Sequence, residues 1–371
     1  MFNRNQRRLG TIAYQDGALG TLNIPRDTFF TKFTIRMQGY VTYTFTGSPI
    51  ALPTGLFDAV VTNIKVTANG NRVIKSVRPY LLAMNTMMAS TQKPRRCSVA
   101  SATAPTNLED VTADANFTYG TTGQSTSYTE TLELFFETPH DLAGEQGLAT
   151  VFRTRGLQTA ELALQFGSLS VLEATTPTQI AVTYTVVSLQ FLVTGEEVQD
   201  LDPANYGLLD YVQSNFKKTY TGQVTNDEID INRSGVLLGI DLLTESNVGR
   251  TGSVEALKKL NNKLISDIAF KLNGVRDVIT TRFKTLQDQN INKFKLVSPF
   301  VSNVSPTDGY AFIDFMRNRQ LNGGLDLRKE DSAKLIISTN AGIATILTYN
   351  ADLTVQTHEL RAVDPDNFKS N

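Results

Sequence analysis

One stretch of this chain occurs twice, and that repetition constrains the fold more than any other feature. Ile64-Lys65-Val66-Thr67-Ala68-Asn69-Gly70-Asn71-Arg72 is echoed by Ile268-Ala269-Phe270-Lys271-Leu272-Asn273-Gly274-Val275-Arg276, at a constant offset (268 − 64 = 276 − 72 = 204). Alternate residues are apolar in both copies, the period of a strand with one buried face. Both then reach Asn-Gly, the pair that most readily adopts the positive φ angles of a tight hairpin turn. Asn69, Gly70, Asn273 and Gly274 are therefore expected as fold-defining turns. A helical stripe follows each turn: Val77, Leu81, Met84 and Met88 in one copy, Ile279, Phe283 and Leu286 in the other.

A single such hairpin is common, so the flanks decide. Before the first copy, residues 1–27 read as an arm, 29–45 as a long strand and 46–55 as a Pro/Gly loop. Residues 56–68 read as the strand entering the hairpin. The helix ends near Ser90, and a Ser/Thr-rich excursion covers 91–127. Strands follow at 129–137, 160–166 and 179–193, the last rich in β-branched residues. An acidic linker spans 195–203. The second half replays this order after an irregular, acidic entry at 200–230. Strands are expected at 236–242, 260–272, 310–316 and 332–337, with one or two more over 343–355. Residues 332–337 match 159–164 at a smaller offset (332 − 159 = 173), as a shorter surface connection in the second copy would give.

Strands of this number, with connections of this size, predict an all-β chain of two tandem eight-stranded jelly-roll sandwiches, each with a short flanking helix. The expected division is an N-terminal arm (1–27), a first jelly roll (28–199), a second (200–363) and a C-terminal tail (364–371). A length of 371 residues suits two domains.

Catalytic constellations are missing. Cys97 is the one cysteine, which excludes an intrachain disulfide, and a nucleophilic thiol would need a base. His140 and His358 are the only histidines; both are expected on the surface, His358 near the tail. Two distant histidines cannot supply a cupin-type metal site, and no Gly-rich phosphate loop is present. No catalytic, cofactor-binding or metal residue is therefore expected. Lys+Arg 35 against Asp+Glu 36 excludes a polycation. No apolar run is long enough to cross a bilayer. The start is locally basic, with Arg4, Arg7 and Arg8, which suits either a solvated tail or a contact with anionic lipid or nucleic acid.

The run Thr131-Leu132-Glu133-Leu134-Phe135-Phe136-Glu137-Thr138-Pro139, then Asp141-Leu142-Ala143-Gly144 and 158–166, together with the hairpin–helix units, carries a resemblance. It is similar in pattern to the double jelly-roll major capsid proteins of tailless icosahedral, membrane-containing viruses and bacteriophages of the PRD1 type. The resemblance covers nearly the whole chain in order and length, and its motifs are structural. It implies a homotrimer forming a pseudo-hexagonal capsomer. The implied partners are neighbouring capsomers, penton and minor capsid proteins, an internal lipid membrane and, if no membrane intervenes, the genome. It also implies a place in the virion shell after assembly in the host cytoplasm, outward towers from 91–127, and interior contacts through Arg4, Arg7 and Arg8. The long tract from Thr91 and the acidic entry depart from a simple version of the pattern and leave the loop positions open. Two other readings stand beside it. One is a minor capsid, spike or receptor-binding jelly roll. The other is a carbohydrate-binding sandwich using Tyr80, Tyr119 or Tyr128, although the chain has no Trp.

Overall fold

The structure is a computed structural model and describes residues 3–45, 55–90, 96–101, 125–138, 144–167, 182–199, 201–246, 259–296, 307–316, 323–340 and 351–363. The expected tower excursion falls largely outside these residues, as do His140 and the tail at 364–371. The first half contains β1 (Arg4–Ala13), β2 (Leu19–Asn23), β3 (Phe29–Phe45), α1 (Leu56–Val60), β4 (Val61–Ala68), β5 (Arg72–Val77), α2 (Pro79–Ser90), β6 (Arg96–Ser101), β7 (Ser125–Phe135), β8 (Phe152–Arg153), β9 (Ala160–Phe166) and β10 (Val182–Val198). The second contains β11 (Leu209–Tyr220), β12 (Asp227–Asp230), β13 (Val236–Ser246), β14 (Lys259–Leu260), β15 (Ile265–Leu272), β16 (Arg276–Arg282), α3 (Phe283–Phe294), β17 (Tyr310–Asp314), β18 (Leu325–Asp326), β19 (Ala333–Thr339) and β20 (Ala351–Ala362).

In the first half β1-β10-β3-β7 form one wall and β2-β9-β4-β5 the other. In the second half the walls are β11-β20-β13 with β17, and β12-β19-β15-β16. These are two jelly rolls of eight strands with the same connectivity. Each is filled by inward-facing alternate residues: Phe33, Ile35, Ile64, Val66, Leu162 and Leu164 in the first, and Ile240, Leu242, Ile268, Phe270, Leu335 and Ile337 in the second.

The registers agree pair for pair. Val66 faces Leu162 and Phe270 faces Leu335 (270 − 66 = 204; 335 − 162 = 173). Leu22 faces Leu162 and Ile229 faces Leu335, adding an offset of 207 for the opening strands (229 − 22). Gln6 faces Glu196 and Gln213 faces His358, again 207 on the opening strand and 162 on the closing one (213 − 6; 358 − 196). The bulges coincide as well. The slip between Glu196 and Glu197 on β10, opposite Lys32 and Phe30, recurs opposite Gly239 and Leu237 (239 − 32 = 237 − 30 = 207). A bulge is a local device that re-aims a strand, so its recurrence marks copied geometry.

Several expectations are corrected. The expected arm at 1–27 is not separate over its described residues, 3–27: β1 and β2 are the first strands of both walls. The acidic entry at 200–230 is not irregular, because β11 and β12 are the matching pair. Backbone pairing along β10 and β20 imposes the strand conformation on sequences with little apolar alternation. The 195–203 linker is strand as far as Val198. The segment entering the first hairpin begins with one helical turn, α1, before β4. Neither hairpin leads straight into a helix: β5 and β16 return first, so Val77 and Ile279 are strand residues.

Candidate assembly seam

The Asn-Gly turns are tight in both halves. φ is 51° at Asn69 and 75° at Gly70, and 53° at Asn273 and 72° at Gly274. These left-handed values favour Asn and Gly. The asparagines also bind the loop ahead of the neighbouring strand. Asn69 Oδ1 accepts from the Gln158 backbone N–H at 2.8 Å, and Asn273 Oδ1 from that of Asp331 at 2.7 Å. These partners are again 173 apart (331 − 158).

The N-terminal arginines lie in the wall. Arg4 donates to Glu196 at 3.0 Å and Glu137 at 3.2 Å. Arg7 holds Asp27 at 3.0 Å and borders a cavity of about 330 Å³ with Arg155 and Glu197. Arg8 is exposed; it donates to Thr11 Oγ1 at 3.4 Å and makes no ion pair among the described residues. Burial opposes Glu196 ionisation, but the Thr31 hydroxyl, Lys32 and Arg4 outweigh it and hold its carboxyl below the ordinary value.

The two jelly rolls are joined along one seam. Strand β5 pairs in parallel with β11, placing Lys75 beside Gln213 and Ser76 beside Ser214. Helix α2 lies across the outer face of the β11-β20-β13 wall. Its Tyr80, Leu81, Met84, Met87 and Met88 pack with Leu243, Phe294, Tyr310 and Phe312 of the second half. A helix that is apolar all round must be buried all round, and α2 is wedged between two sandwiches. That composition, Tyr80-Leu81-Leu82-Ala83-Met84 with Met87-Met88, was the sequence signal for the seam.

Charged groups cross the seam in compensated sets. Arg78 donates to Asp58 of its own half at 2.6 Å and to Glu245 of the other half at 3.0 Å. Burial alone would depress its pKa, but Asp58 and Glu245 raise it well above the ordinary guanidinium value. Asp241, fully buried, accepts from Tyr310 Oη at 2.8 Å, Gln356 Nε2 at 2.8 Å, Asn85 Nδ2 at 3.3 Å and His358 Nε2 at 2.6 Å. The other ring nitrogen of His358 meets the Tyr211 hydroxyl at 2.6 Å. Burial, aided by Asp241, raises the pKa of both phenols, so they remain donors.

His358 is thus not a surface residue near a tail. It has 0% exposure in the middle of β20, because α2, remote in sequence, covers that face. The Asp–His–Tyr array resembles catalytic machinery but is sealed from any external substrate. Among the described residues no cluster of His, Cys, Asp and Glu could hold a metal. Among them no helix is long and apolar enough to cross a membrane.

The repeat identifies a second set of surfaces. The seam residues Gln213, Asn215, Asp241 and Glu245 correspond, at an offset of 207, to Gln6, Arg8, Thr34 and Gln38. Lys75 and Arg78 correspond, at 204, to Ile279 and Arg282. Among the described residues no second sandwich covers this latter set, and Arg282 is exposed.

No family model matches this chain, and no curated protein matches it by sequence. Solved structures do match. The STIV MCP is 15% identical with a TM-score of 0.64, the alignment covering 100% of both chains. A chain of the Sulfolobus turreted icosahedral virus particle is 16% identical, TM-score 0.63, over 97% of this chain and 91% of that one. The major capsid protein P2 of bacteriophage PM2 is 12% identical, TM-score 0.55, over 98% and 99%. What this chain shares with them, from end to end, is the fold of two jelly rolls in tandem.

Proposed function

We propose that this chain is the major coat subunit of an icosahedral virion, acting as a homotrimer whose six jelly rolls form a near-hexagonal capsomer. One observation carries the reading: the chain makes one jelly-roll-to-jelly-roll seam internally and presents both sides of an equivalent seam outward. The β5–α2 side of the first sandwich is seated on the β11-β20-β13 face of the second. The repeat leaves the β16–α3 side of the second sandwich and the β1-β10-β3 face of the first for a neighbouring copy. A head-to-tail contact that reuses one geometry closes into a ring, and three chains supply six positions. The full-length fold likeness to the PM2 capsid protein and the STIV MCP supports this reading.

Function is then geometry. Internal duplication lets a three-fold object occupy near-sixfold sites, with neighbouring capsomers, penton and minor capsid proteins completing the shell after assembly in the host cytoplasm. Arg4 and Arg8 take the side contact in this reading, since they occupy the positions of Tyr211 and Asn215 on the internal seam (211 − 4 = 215 − 8 = 207). An interior contact with anionic headgroups or genome then falls to Arg7 and Arg155 around the cavity. Size-exclusion chromatography with light scattering tests the core of the proposal. A stable trimer is expected, and a monomer at every concentration would refute it.

A further inference from the structure

The internal seam holds a nucleophile, an electrophile and a proton carrier in contact. We propose that Lys75 and Gln213 join in an isopeptide bond that welds the first jelly roll to the second. The two residues are register partners on the strand pair that, among the described residues, links the halves. Lys75 has 0% exposure and Gln213 2%. Lys75 Nζ lies 3.0 Å from Gln213 Oε1 and 3.6 Å from the centre of the Tyr211 ring. It makes no ion pair among the described residues, and burial lowers its pKa well below the ordinary value, with Asp210 opposing only in part. Desolvation favours the neutral form of a lysine amine, which is the nucleophilic one.

The carboxamide is bracketed from the other side. Gln213 Nε2, the leaving nitrogen, lies 3.5 Å from His358 Nδ1. His358 is oriented by Asp241 through Nε2, and the Tyr211 hydroxyl reaches the same Nδ1. The carboxamide thus lies between the amine and an imidazole that Asp241 orients on the leaving-group side. Folding alone sets the two reacting groups in place, which supplies the entropic part of the barrier. In the step, Nζ bonds to Cδ of Gln213 and the Cδ–Nε2 bond breaks. One proton passes from Nζ to the departing Nε2, which lies within reach of His358 Nδ1, and ammonia leaves. Nothing is oxidised or reduced and no co-reactant is needed.

The other jelly-roll seam cannot do this. The counterpart of Lys75 is Ile279, so a weld would form within a chain and never between chains. That difference ties the two halves of one chain together without tying one chain to the next.

Intact-mass spectrometry of the purified, denatured full chain decides the matter. The expected mass is about 17 Da below the sequence mass, one ammonia lost per amide displaced. Proteolysis should yield a branched peptide joining Lys75 to Gln213. Lys75→Arg should restore the full mass. His358→Gln, which keeps both reacting groups, should slow the loss on the order of 100-fold. A wild-type chain at full mass after days in the folded state would overturn the proposal. So would a deficit that persists in Lys75→Arg or maps to a succinimide at Asn69-Gly70 or Asn273-Gly274, which loses the same ammonia.

Discussion

Helices α2 and α3 occupy the same place in two copies of one fold, yet they are built for different surroundings. Both place Leu on the core side, Leu82 and Leu286 (286 − 82 = 204). Outward, the residues diverge. Tyr80, Leu81, Met84 and Met88 of α2 become Lys284, Thr285, Asp288 and Asn292 of α3. Lys284 and Asp288 even pair with each other at 2.9 Å on the exposed face. The arginine just before each helix changes role in the same way: Arg78 is half-buried and held between two carboxylates, whereas Arg282 is exposed. One seam is therefore closed like a domain core. The other, in the trimer proposed above, is lined by polar and charged side chains.

The largest contrast should come from the two arginines. Arg78→Met strands Asp58 and Glu245 in the seam and should cost ~3–5 kcal/mol in a denaturant titration. Arg282→Met should change the stability of the fold by less than ~0.5 kcal/mol but weaken the trimer in light scattering. Equal effects of the two on folding would erase the distinction between the seams.

The asparagine turns should instead behave alike. Asn69→Ala and Asn273→Ala each remove an acceptor shared by two backbone N–H groups and leave a left-handed residue without its preferred side chain; the exposed bond from Asn273 to Glu330 is one that water replaces. Each should lose about 1–2 kcal/mol by thermal or chemical denaturation. Unequal losses would show that the two hairpins are not equivalent despite their shared geometry.

A smaller effect belongs to Glu196. Its folded pKa lies below its ordinary 4.5, so its contribution is present above 4.5 and is lost as pH falls through the lower, folded value. Melting temperatures measured from pH 6 down to about 3 should fall less steeply in Glu196→Gln than in wild type.

Much of this architecture was legible in the sequence, and the part that was not has a common cause. The Asn-Gly hairpins and the β9 and β19 strands announced themselves because their alternation is local. The opening strands did not. Arg4-Asn5-Gln6-Arg7-Arg8 has no apolar side to its alternation, and the strand forms because β10 supplies its backbone partners. His358 was misplaced for a related reason. Its neighbours Leu353 and Val355 mark one buried face of β20, but the covering of the other face comes from α2, more than two hundred residues earlier. The seam network of Lys75, Gln213, Asp241 and His358 likewise draws on five separate stretches of chain counting Tyr310, and no spacing rule connects them.

In the assembly proposed here, the internal seam is the template for the contact between copies. Its most direct test places cysteines at Gln6 and Ile279, the counterparts of Gln213 and Lys75, in a Cys97→Ser background, and oxidises the assembled protein. Denaturing electrophoresis should then show covalently closed trimers. Monomers alone from a protein that is assembled before oxidation would contradict the account.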